Sequence, residues 1–245
     1  MARPQGLIIV FYNSNEQKGA SSSLRMRRKP WARPELDACP FYKSEPALHR
    51  GNWAQAFSKQ QPLHLELGCG KGSFLSQLAS ENPGINYLGV DIKSEMLGLA
   101  KRKIEAAYAA TGQQVNNVLL MSQDIERIHM MLAPEDAIER IYINFCNPWP
   151  KERQRKKRLT HVRQLLKYRE FLIDGGEVHF KTDDDGLFED SILYFGQAGF
   201  SIGYLTRDLH QSGYTPNWMT EHEKLFSSQG IPIKFFIARK GPFHE

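Results

Sequence analysis

The feature that most constrains the fold is a short apolar run that leads directly into a glycine-rich turn. Residues 63–67 are mostly apolar, and Leu-Glu-Leu-Gly-Cys-Gly-Lys-Gly occupies positions 65–72. Glycine permits positive φ angles and lets a ligand approach the backbone closely. Beyond the turn, apolar residues recur at helical spacing, at Phe74, Leu75, Leu78 and Ala79. A strand, such a turn and a helix in succession predict a nucleotide-binding α/β unit.

An acidic residue about 20 positions beyond the turn supports nucleotide binding. Asp91 closes a second apolar run, 87–90, where a carboxylate can accept hydrogen bonds from a ribose. Up to this point a nicotinamide-dependent oxidoreductase fits equally well. The glycines, however, are spaced as Gly68-x-Gly70-x-Gly72 and lack the second gap of the G-x-G-x-x-G pyrophosphate turn.

Two further carboxylates favour S-adenosylmethionine over a dinucleotide. Glu66 lies within the first strand, where it would repel a pyrophosphate but can face the ammonium group of a methyl donor. Asp124 follows a third strand-like run, 117–121, where an adenine amino group could be held. Taken alone, Asp124 is equally well explained as a helix N-cap. The three acids together favour the methyl donor, and the oxidoreductase stays the alternative enzyme.

Predicted strands and helices alternate along the rest of the chain, which is typical of a doubly wound parallel sheet. Helices are predicted over 94–110, 160–173 and 186–198. Strands are predicted near 139–145, over 177–181 and 200–205, and within the apolar run 231–238. Asp183, Asp184 and Asp185 are predicted to open the third helix rather than to bind a metal, because acids there complement the helix dipole.

A second motif, Asn-Pro-Trp-Pro-Lys at 147–151, follows the predicted strand near 139–145. It is accompanied by Lys-Thr-Asp at 181–183, by Thr-Glu-His-Glu at 220–223, and by Arg-Arg-Lys-Pro-Trp-Ala-Arg-Pro at 27–34. In these motifs and their order, from about Met26 to Lys240, the chain resembles the bacterial tRNA (guanine-N7-)-methyltransferase family, TrmB.

This resemblance implies a Rossmann-like class I methyltransferase whose doubly wound, mostly parallel sheet has seven strands, one of them antiparallel. It implies methyl transfer from S-adenosylmethionine to N7 of a variable-loop guanosine in tRNA. Catalytic roles fall on Asn147 and Asp183. Donor binding is assigned to Glu66, Gly68, Gly70, Asp91, Asp124 and Asn147. Contacts with tRNA or guanine are assigned to Lys151, Asp183, Thr220, Glu221, His222 and Glu223, with Lys151 suited to a phosphate and Asp183 or Glu223 to the base edge.

Asn147 departs from the Asp that many family members carry at this position. An amide cannot act as a general base, but guanine N7 already carries an in-plane lone pair, so no proton has to be removed before methyl transfer. Positioning then supplies most of the acceleration. We expect an active enzyme, with a positive charge on the product stabilised by Asp183 or Glu223. An RNA-binding protein with a vestigial donor pocket is the non-enzymatic alternative.

Basic segments fit a nucleic-acid acceptor. Six of the eight residues at 151–158 are basic, and a second basic cluster spans 25–33. Such patches give sequence-independent affinity that falls steeply with salt, although a lone basic run is more often a solvated helix face. The 25–33 segment is a candidate for ordering on tRNA. Trp149 is equally well explained as a stacking platform for a base or as a rigid turn residue.

The composition is that of one domain with a basic face: 245 residues, 41% hydrophobic, with a net charge of +5. Three cysteines without metal spacing indicate a reducing cytoplasm and no zinc site. No metal, no membrane partner and no second domain are expected, and a monomer and a homodimer both remain possible. We expect three segments: a disordered extension over 1–25, a basic N-terminal arm and lead-in over 26–61, and the methyltransferase domain over 62–245.

Overall fold

Among residues 29–241, which the computed structural model describes, eight strands form one sheet. The strands are β1 (Tyr42–Lys43), β2 (Leu63–Leu67), β3 (Asn86–Asp91), β4 (Val118–Ser122), β5 (Ile138–Asn144), β6 (Leu172–Thr182), β7 (Phe200–Thr206) and β8 (Lys234–Lys240). The extension predicted over 1–25 lies outside the described residues, as does the start of the basic arm at 26–28.

Six α-helices accompany these strands in the described part of the chain. They are α1 (Ala32–Asp37), α2 (Ser73–Glu81), α3 (Ser94–Ala110), α4 (Val162–Phe171), α5 (Asp185–Gln197) and α6 (Glu221–Ser228). Short 3₁₀ helices lie at Pro46–His49, Trp53–Ala56, Ile125–Met130, Pro134–Asp136 and Glu152–Lys157. No helix within residues 29–241 is long and apolar enough to cross a membrane.

The strand order in the sheet is β1-β4-β3-β2-β5-β6-β8-β7. Neighbours from β1 to β6 are parallel, and β8 runs antiparallel to both β6 and β7. The predicted mostly parallel sheet with one antiparallel strand is therefore confirmed, with one strand more than the seven expected. The additional strand is β1, which pairs with the edge of β4 over two residues. A two-residue strand is too short to leave a period-2 pattern in the sequence.

The chain reverses its direction across the sheet between β2 and β5. From β2 it proceeds through β3 to β4 on one side, and β5 then continues through β6 on the other. Because parallel crossovers are right-handed, α2 and α3 cover one face and α4 and α5 cover the other. Open sheets of this kind bind ligands in the crevice at the carboxyl ends of the strands where the order reverses. The site is thus expected beyond Leu67 and Asn144.

Predicted and observed elements agree where the apolar pattern is long. The helix predicted over 94–110 coincides with α3, and the apolar run 87–90 lies within β3. Strand β6 begins at Leu172, five positions before the predicted start at 177. Gly175 and Gly176 lie in the first half of β6, where glycine normally signals a turn rather than a strand. The sheet also has a register shift here, between Ile138 and Arg140 of β5.

The lead-in to the sheet is anchored by a fully buried tryptophan. Trp53 donates its indole N–H to the carbonyl of Met131 at 2.7 Å. The buried carboxylate of Asp136 accepts hydrogen bonds from the backbone N–H groups of Gly51, Trp53 and Ala133. Residues that precede β2 therefore pack on the same core as the strands, and the division at residue 62 stays a prediction.

Candidate active site

A cavity of about 1210 Å³ opens at the carboxyl ends of β2, β3, β4 and β5. Sites for single small molecules usually have volumes of about 300–1,000 Å³, so this cavity has room for a nucleoside and a second group. Ten of the predicted site residues line it: Glu66, Gly68, Gly70, Asp91, Asp124, Asn147, Asp183, Thr220, Glu221 and His222. The sequence motifs therefore converge at the reversal of strand order.

The glycine turn begins immediately after β2. Gly68, Gly70 and Gly72 all have positive φ, at 77°, 53° and 73°. Gly72 also packs closely against α3, because an added Cβ would lie 2.7 Å from the Cβ of Ala100. The backbone N–H of Gly70 donates to the Asp91 carboxylate at 3.0 Å. The turn is thus fixed to the end of β3 and presents its backbone to the cavity.

Asp91 and Asp124 occupy the ends of neighbouring strands. Asp91 accepts from the N–H groups of Gly70 and Lys93, while burial raises the pKa of its carboxyl. Asp124 accepts from the N–H of Glu126 at 3.0 Å and caps the 3₁₀ helix that follows β4. The N-cap explanation of Asp124 is therefore confirmed, and its side chain still lines the cavity.

Glu66 lies at the floor of the cavity and is 2% exposed. Its Oε1 accepts a hydrogen bond from the side-chain amide of Asn144 at 3.1 Å, and its Oε2 has no hydrogen-bond partner. Burial raises the pKa of this carboxyl to about 7, although the Asn144 bond opposes the shift. An unpartnered carboxylate oxygen in a buried position is costly unless a ligand completes its hydrogen bonding.

The Asn-Pro-Trp-Pro turn forms one wall of the cavity. The amide oxygen of Asn147 accepts from the backbone N–H of Trp149 at 3.0 Å. Trp149 and Phe145 have positive φ angles of 42° and 52°, which are rare for bulky residues. The ammonium of Lys157 lies 5.2 Å from the centre of the Trp149 ring, a cation–π contact. Trp149 therefore belongs to a turn, as one of the two explanations left open by the sequence predicts, and it also lines the cavity; its role as a stacking platform stays a prediction.

The acidic triplet opens α5, as predicted. Asp184 is the N-cap, and its carboxylate accepts from the N–H of Leu187 at 2.6 Å. Asp183 lines the cavity, and its carbonyl accepts from the buried Lys234 ammonium at 2.9 Å. The triplet is therefore divided between a helix cap and the site. Within residues 29–241 no group of His, Cys, Asp and Glu side chains has the arrangement of a metal site.

Helix α6 closes the cavity over the glycine turn. Thr220 is its N-cap and accepts from the N–H of Glu223 at 2.9 Å. Glu221 forms ion pairs with Lys71 of the glycine turn, at 2.7 Å, and with Lys103 of α3. These two ammonium groups lower the pKa of the Glu221 carboxyl to about 2. Ionic contacts therefore connect the 220–223 segment to the predicted donor side of the site.

Two of the predicted substrate residues do not line the cavity. Glu223 is fully buried, and its carboxylate binds the Lys181 ammonium at 3.1 Å and the Asn217 amide at 2.7 Å. Lys151 is exposed and precedes the 3₁₀ helix at 152–157. Glu223 is thus placed to hold α6 against the sheet rather than to reach a base directly. Its position in a polar motif gave no indication of its burial.

The basic run at 151–158 divides into exposed and structural residues. Lys151, Arg153 and Lys156 are exposed, whereas Arg158 is buried and pairs with Asp190 at 2.5 Å. Arg155 pairs with Glu152 and with Asp190. Only part of the run can therefore contact a polyanion.

Aromatic and apolar lining residues were missed by the sequence analysis. Phe145 stacks on the ring of His222 with centroids 6.0 Å apart, and both residues line the cavity. Ile92, Met96 and Phe226 also belong to the apolar lining of the cavity. Ile92 directly follows Asp91 at the end of β3 and is 60% exposed. Its position after that acid could have indicated, from the sequence, that it lines the site. The positions of Met96 and Phe226 gave no such signal, since both fit an ordinary helix pattern.

The sequence is similar to those of known methyltransferases. A family model with the description "Putative methyltransferase" matches residues 60–236. The tRNA (guanine-N(7)-)-methyltransferase of Clostridium perfringens (strain 13 / Type A) is 60% identical over 218 residues, which cover 89% of this chain and 100% of that protein. The enzyme of the same name from Desulfitobacterium hafniense (strain Y51) is 47% identical over 220 residues, covering 89% of this chain and 99% of that protein.

Solved structures share the fold at low sequence identity. The 16S rRNA methyltransferase KamB aligns with a TM-score of 0.56 at 15% identity, over 78% of this chain and 93% of that chain. A mutant of the 16S rRNA (adenine(1408)-N(1))-methyltransferase from Catenulisporales acidiphilia, solved with cosubstrate SAM, aligns with a TM-score of 0.55 at 15% identity. That alignment covers 83% of this chain and 94% of that chain. These structures show a shared fold, whereas the family model and the sequence relatives establish that the chain belongs to the tRNA (guanine-N(7)-)-methyltransferase family.

Proposed function

We propose that this protein transfers a methyl group from S-adenosylmethionine to N7 of a variable-loop guanosine in tRNA. The observation that carries the proposal is one cavity in which the strand-end acids Glu66, Asp91 and Asp124 face the turn at Asn147. The acids suit a nucleoside with an ammonium group, and the turn and α6 supply aromatic and polar groups for a base. The relatives named for this reaction support the same assignment.

The donor side of the cavity fits S-adenosylmethionine. The unpartnered Oε2 of buried Glu66 can accept from the donor's ammonium group. Asp91 can accept from the ribose hydroxyls and Asp124 from the adenine amino group, with Gly68 and Gly70 providing close backbone approach. When bound, S-adenosylmethionine would supply a methyl group on a sulfonium centre. The N7 lone pair of guanine would form the new N–C bond without prior loss of a proton, and the electron pair of the broken C–S bond would leave with the thioether product.

The acceptor side is assigned to the turn, to Asp183 and to the start of α6. The stacked pair of Phe145 and His222 offers an aromatic face for a base, with Trp149 across the turn. Asp183 is proposed to accept hydrogen bonds from the guanine base edge and to stabilise the positive charge of the methylated base. Asn147 and Asp183 are thus the proposed catalytic residues.

The remaining contacts concern the polynucleotide. Exposed Lys151 is proposed to bind a phosphate, while Thr220 and Glu221 place His222 at the cavity through the N-cap and the ion pairs. Buried Glu223 is proposed to position α6. We also propose that the protein acts in the cytoplasm, as a monomer or homodimer, and that the arm at 26–61 contributes to tRNA binding.

The test of this function is transfer of labelled methyl from S-adenosylmethionine to an unmodified tRNA transcript. The matched control is the same transcript made with 7-deazaguanosine, which lacks N7 and retains the Watson–Crick edge of guanine. Label in the first RNA and none in the second is the expected result. Equal labelling of both would place the methyl group on another atom and contradict the proposal.

The second candidate function, an RNA-binding protein with a vestigial donor pocket, is favoured by Asn147 alone. We expect wild-type protein and an Asn147→Asp variant to differ less than about tenfold in kcat, because a carboxylate can accept the same Trp149 N–H and no base is required. Single-turnover methyl transfer measures this difference. If the reaction required a general base, the Asn147→Asp variant would instead be at least about 100-fold faster than the wild type. An inactive wild type with an active Asp variant would establish the vestigial-pocket alternative.

A further inference from the structure

Arg158 differs from the exposed basic residues around it. Its side chain is 4% exposed, and its guanidinium makes two hydrogen bonds within the protein. The Nε–H donates to the carbonyl of Pro148 at 2.6 Å, and Nη1 donates to the carboxylate of Asp190 at 2.5 Å. Asp190 lies on α5, and α5 is joined to the chain beside Arg158 again through the Ser191 and Thr160 hydroxyls. The guanidinium thus connects a rigid helix to the centre of the Asn-Pro-Trp turn.

That turn has an unfavourable backbone conformation. Phe145 and Trp149 are two of the three non-glycine residues with positive φ among residues 29–241. Bulky residues stay in this region only where surrounding contacts impose it, and such positions concentrate at functional sites. Within the turn, the hydrogen bond from Trp149 N–H to Asn147 fixes one side. The bond from Arg158 to Pro148 holds the peptide between these two residues from outside the cavity.

We propose that Arg158, held by Asp190, is a positioning residue that keeps Asn147 and Trp149 in their reactive arrangement. This inference rests on the proposed function for its effect on turnover. Arg158 does not line the cavity, so it would contact neither the bound S-adenosylmethionine nor the guanine base. A charge-assisted bond from a buried guanidinium to a backbone carbonyl is strong and directional, which suits it to restrain a strained turn.

The competing role for Arg158 is the one its sequence context suggests, a phosphate contact. To reach a phosphate, the Arg158 side chain would have to break both hydrogen bonds. Asp190 would then keep its ion pair with Arg155 and lose the one with Arg158. Exposed Lys156, which has no hydrogen-bond or ion-pair partner among the described residues, is free to make such a contact. Arg158 and Lys156 therefore form a matched pair, with equal charge, two positions apart and in different environments.

The experiment compares Arg158→Met, Arg158→Lys and Lys156→Met in the full-length protein, by steady-state methyl transfer to tRNA at several salt concentrations. For Arg158→Met we expect kcat to fall about 10- to 100-fold, because small displacements of reacting groups have effects of this size. Its KM for tRNA and its salt slope should change little. Arg158→Lys should remain impaired, since one ammonium cannot reproduce the two-directional fork. Lys156→Met should raise KM and reduce the salt slope by about one.

A second measurement does not require turnover. Hydrogen exchange of the Trp149 amide, whose N–H donates to Asn147, reports the order of the turn without tRNA or donor. We expect exchange at least about tenfold faster in Arg158→Met and unchanged in Lys156→Met. If wild-type protein transferred no methyl group, the proposed function would fail and this comparison would still decide whether Arg158 holds the turn.

The inference is overturned if Arg158→Met changes KM and the salt slope while kcat and Trp149 exchange stay at wild-type values. Restoration of full activity by Arg158→Lys would also overturn it, because charge alone would then be sufficient. If Arg158→Met does not fold, Asp190→Asn replaces it, since the amide keeps a neutral acceptor for the guanidinium. That variant should lower kcat and speed Trp149 exchange in the same direction, and wild-type values for both would overturn the inference.

Discussion

Glu66→Gln is expected to weaken S-adenosylmethionine binding about 30-fold or more near pH 7.5, and to have little effect near pH 5.5. The carboxylate is buried, its Oε2 lacks a partner, and its pKa is raised to about 7 by burial. Near pH 7.5 most Glu66 is ionised and can pair with the donor's ammonium, whereas glutamine cannot. Near pH 5.5 the wild-type side chain is itself neutral, so the two proteins should bind the donor similarly.

The sign of this pH dependence follows from proton linkage. Donor binding favours the ionised carboxylate, so it must displace the proton that Glu66 carries below its pKa of about 7. Wild-type affinity should therefore fall by up to about tenfold per pH unit between pH 7 and about pH 5.5, and the Gln variant should lose this dependence. Isothermal titration calorimetry in buffers of different ionisation enthalpy should detect release of about one proton near pH 6.

A thermal-shift assay alone cannot measure the loss of donor affinity, because the stability of the unliganded protein also depends on pH. Because the folded pKa of Glu66 is raised above its ordinary value of 4.5, the associated contribution to stability is present at low pH and is lost as pH rises through about 7. The melting temperature of unliganded protein therefore changes with pH for a reason unrelated to the donor. An equal loss of affinity in Glu66→Gln at both pH values would contradict the proposed pairing with the ammonium.

The second large effect is expected from Lys181→Met, which should lower the free energy of unfolding by about 3–5 kcal/mol. Lys181 is 5% exposed, and its ammonium binds the fully buried Glu223 carboxylate, the Asn217 side chain and the Trp218 carbonyl. Methionine fills a similar volume but removes the ammonium, so among the described side chains the buried Glu223 carboxylate keeps only the Asn217 amide and the His210 imidazole, 3.4 Å away. Urea-induced unfolding measures the loss.

Lys234→Met provides the matched control for this substitution. Lys234 is also buried, at 6% exposure, but its carboxylate partner Asp185 has an 83% exposed side chain. Removal of Lys234 leaves that charge in water, so we expect a loss of about 1 kcal/mol, smaller than for Lys181→Met. Similar losses in the two variants would contradict the importance of the buried Glu223 charge.

A Lys181→Met/Glu223→Gln double variant should recover part of this deficit at neutral pH, because glutamine removes the buried charge that Lys181→Met leaves behind. The same urea-induced unfolding measures the recovery.

Sequence reasoning predicted the features that depend on local periodicity. Three elements have patterns long enough to specify their type: the apolar run of β2, the glycine turn and the 17-residue helix α3. Gly68 marks the end of β2, and Ser94 marks the start of α3. The acidic residues at strand ends were then brought together because parallel strands share one carboxyl edge. These features were sufficient to predict, without tertiary information, that Glu66, Asp91 and Asp124 lie at one site, and all three line the cavity.

The remaining features depend on tertiary packing, which local patterns do not encode. Glu223 and Arg158 occur among polar or basic neighbours, and nothing in the surrounding residues distinguishes their buried positions from exposed ones. The left-handed conformations of Phe145 and Trp149 have no local signal either, because bulky residues rarely adopt positive φ. The short β1 likewise exists through its pairing with β4. Such residues were interpreted as ligands or omitted because their partners are remote in the sequence.

The most direct test of the proposed function is identification of the methylated nucleoside and its position after reaction with unmodified tRNA. Nuclease digestion followed by mass spectrometry identifies the product, and a transcript with the variable-loop guanosine replaced by adenosine is the control. We expect N7-methylguanosine in the first RNA and none in the second. Donor binding without transfer, or N7-methylguanosine at another position in both transcripts, would contradict it.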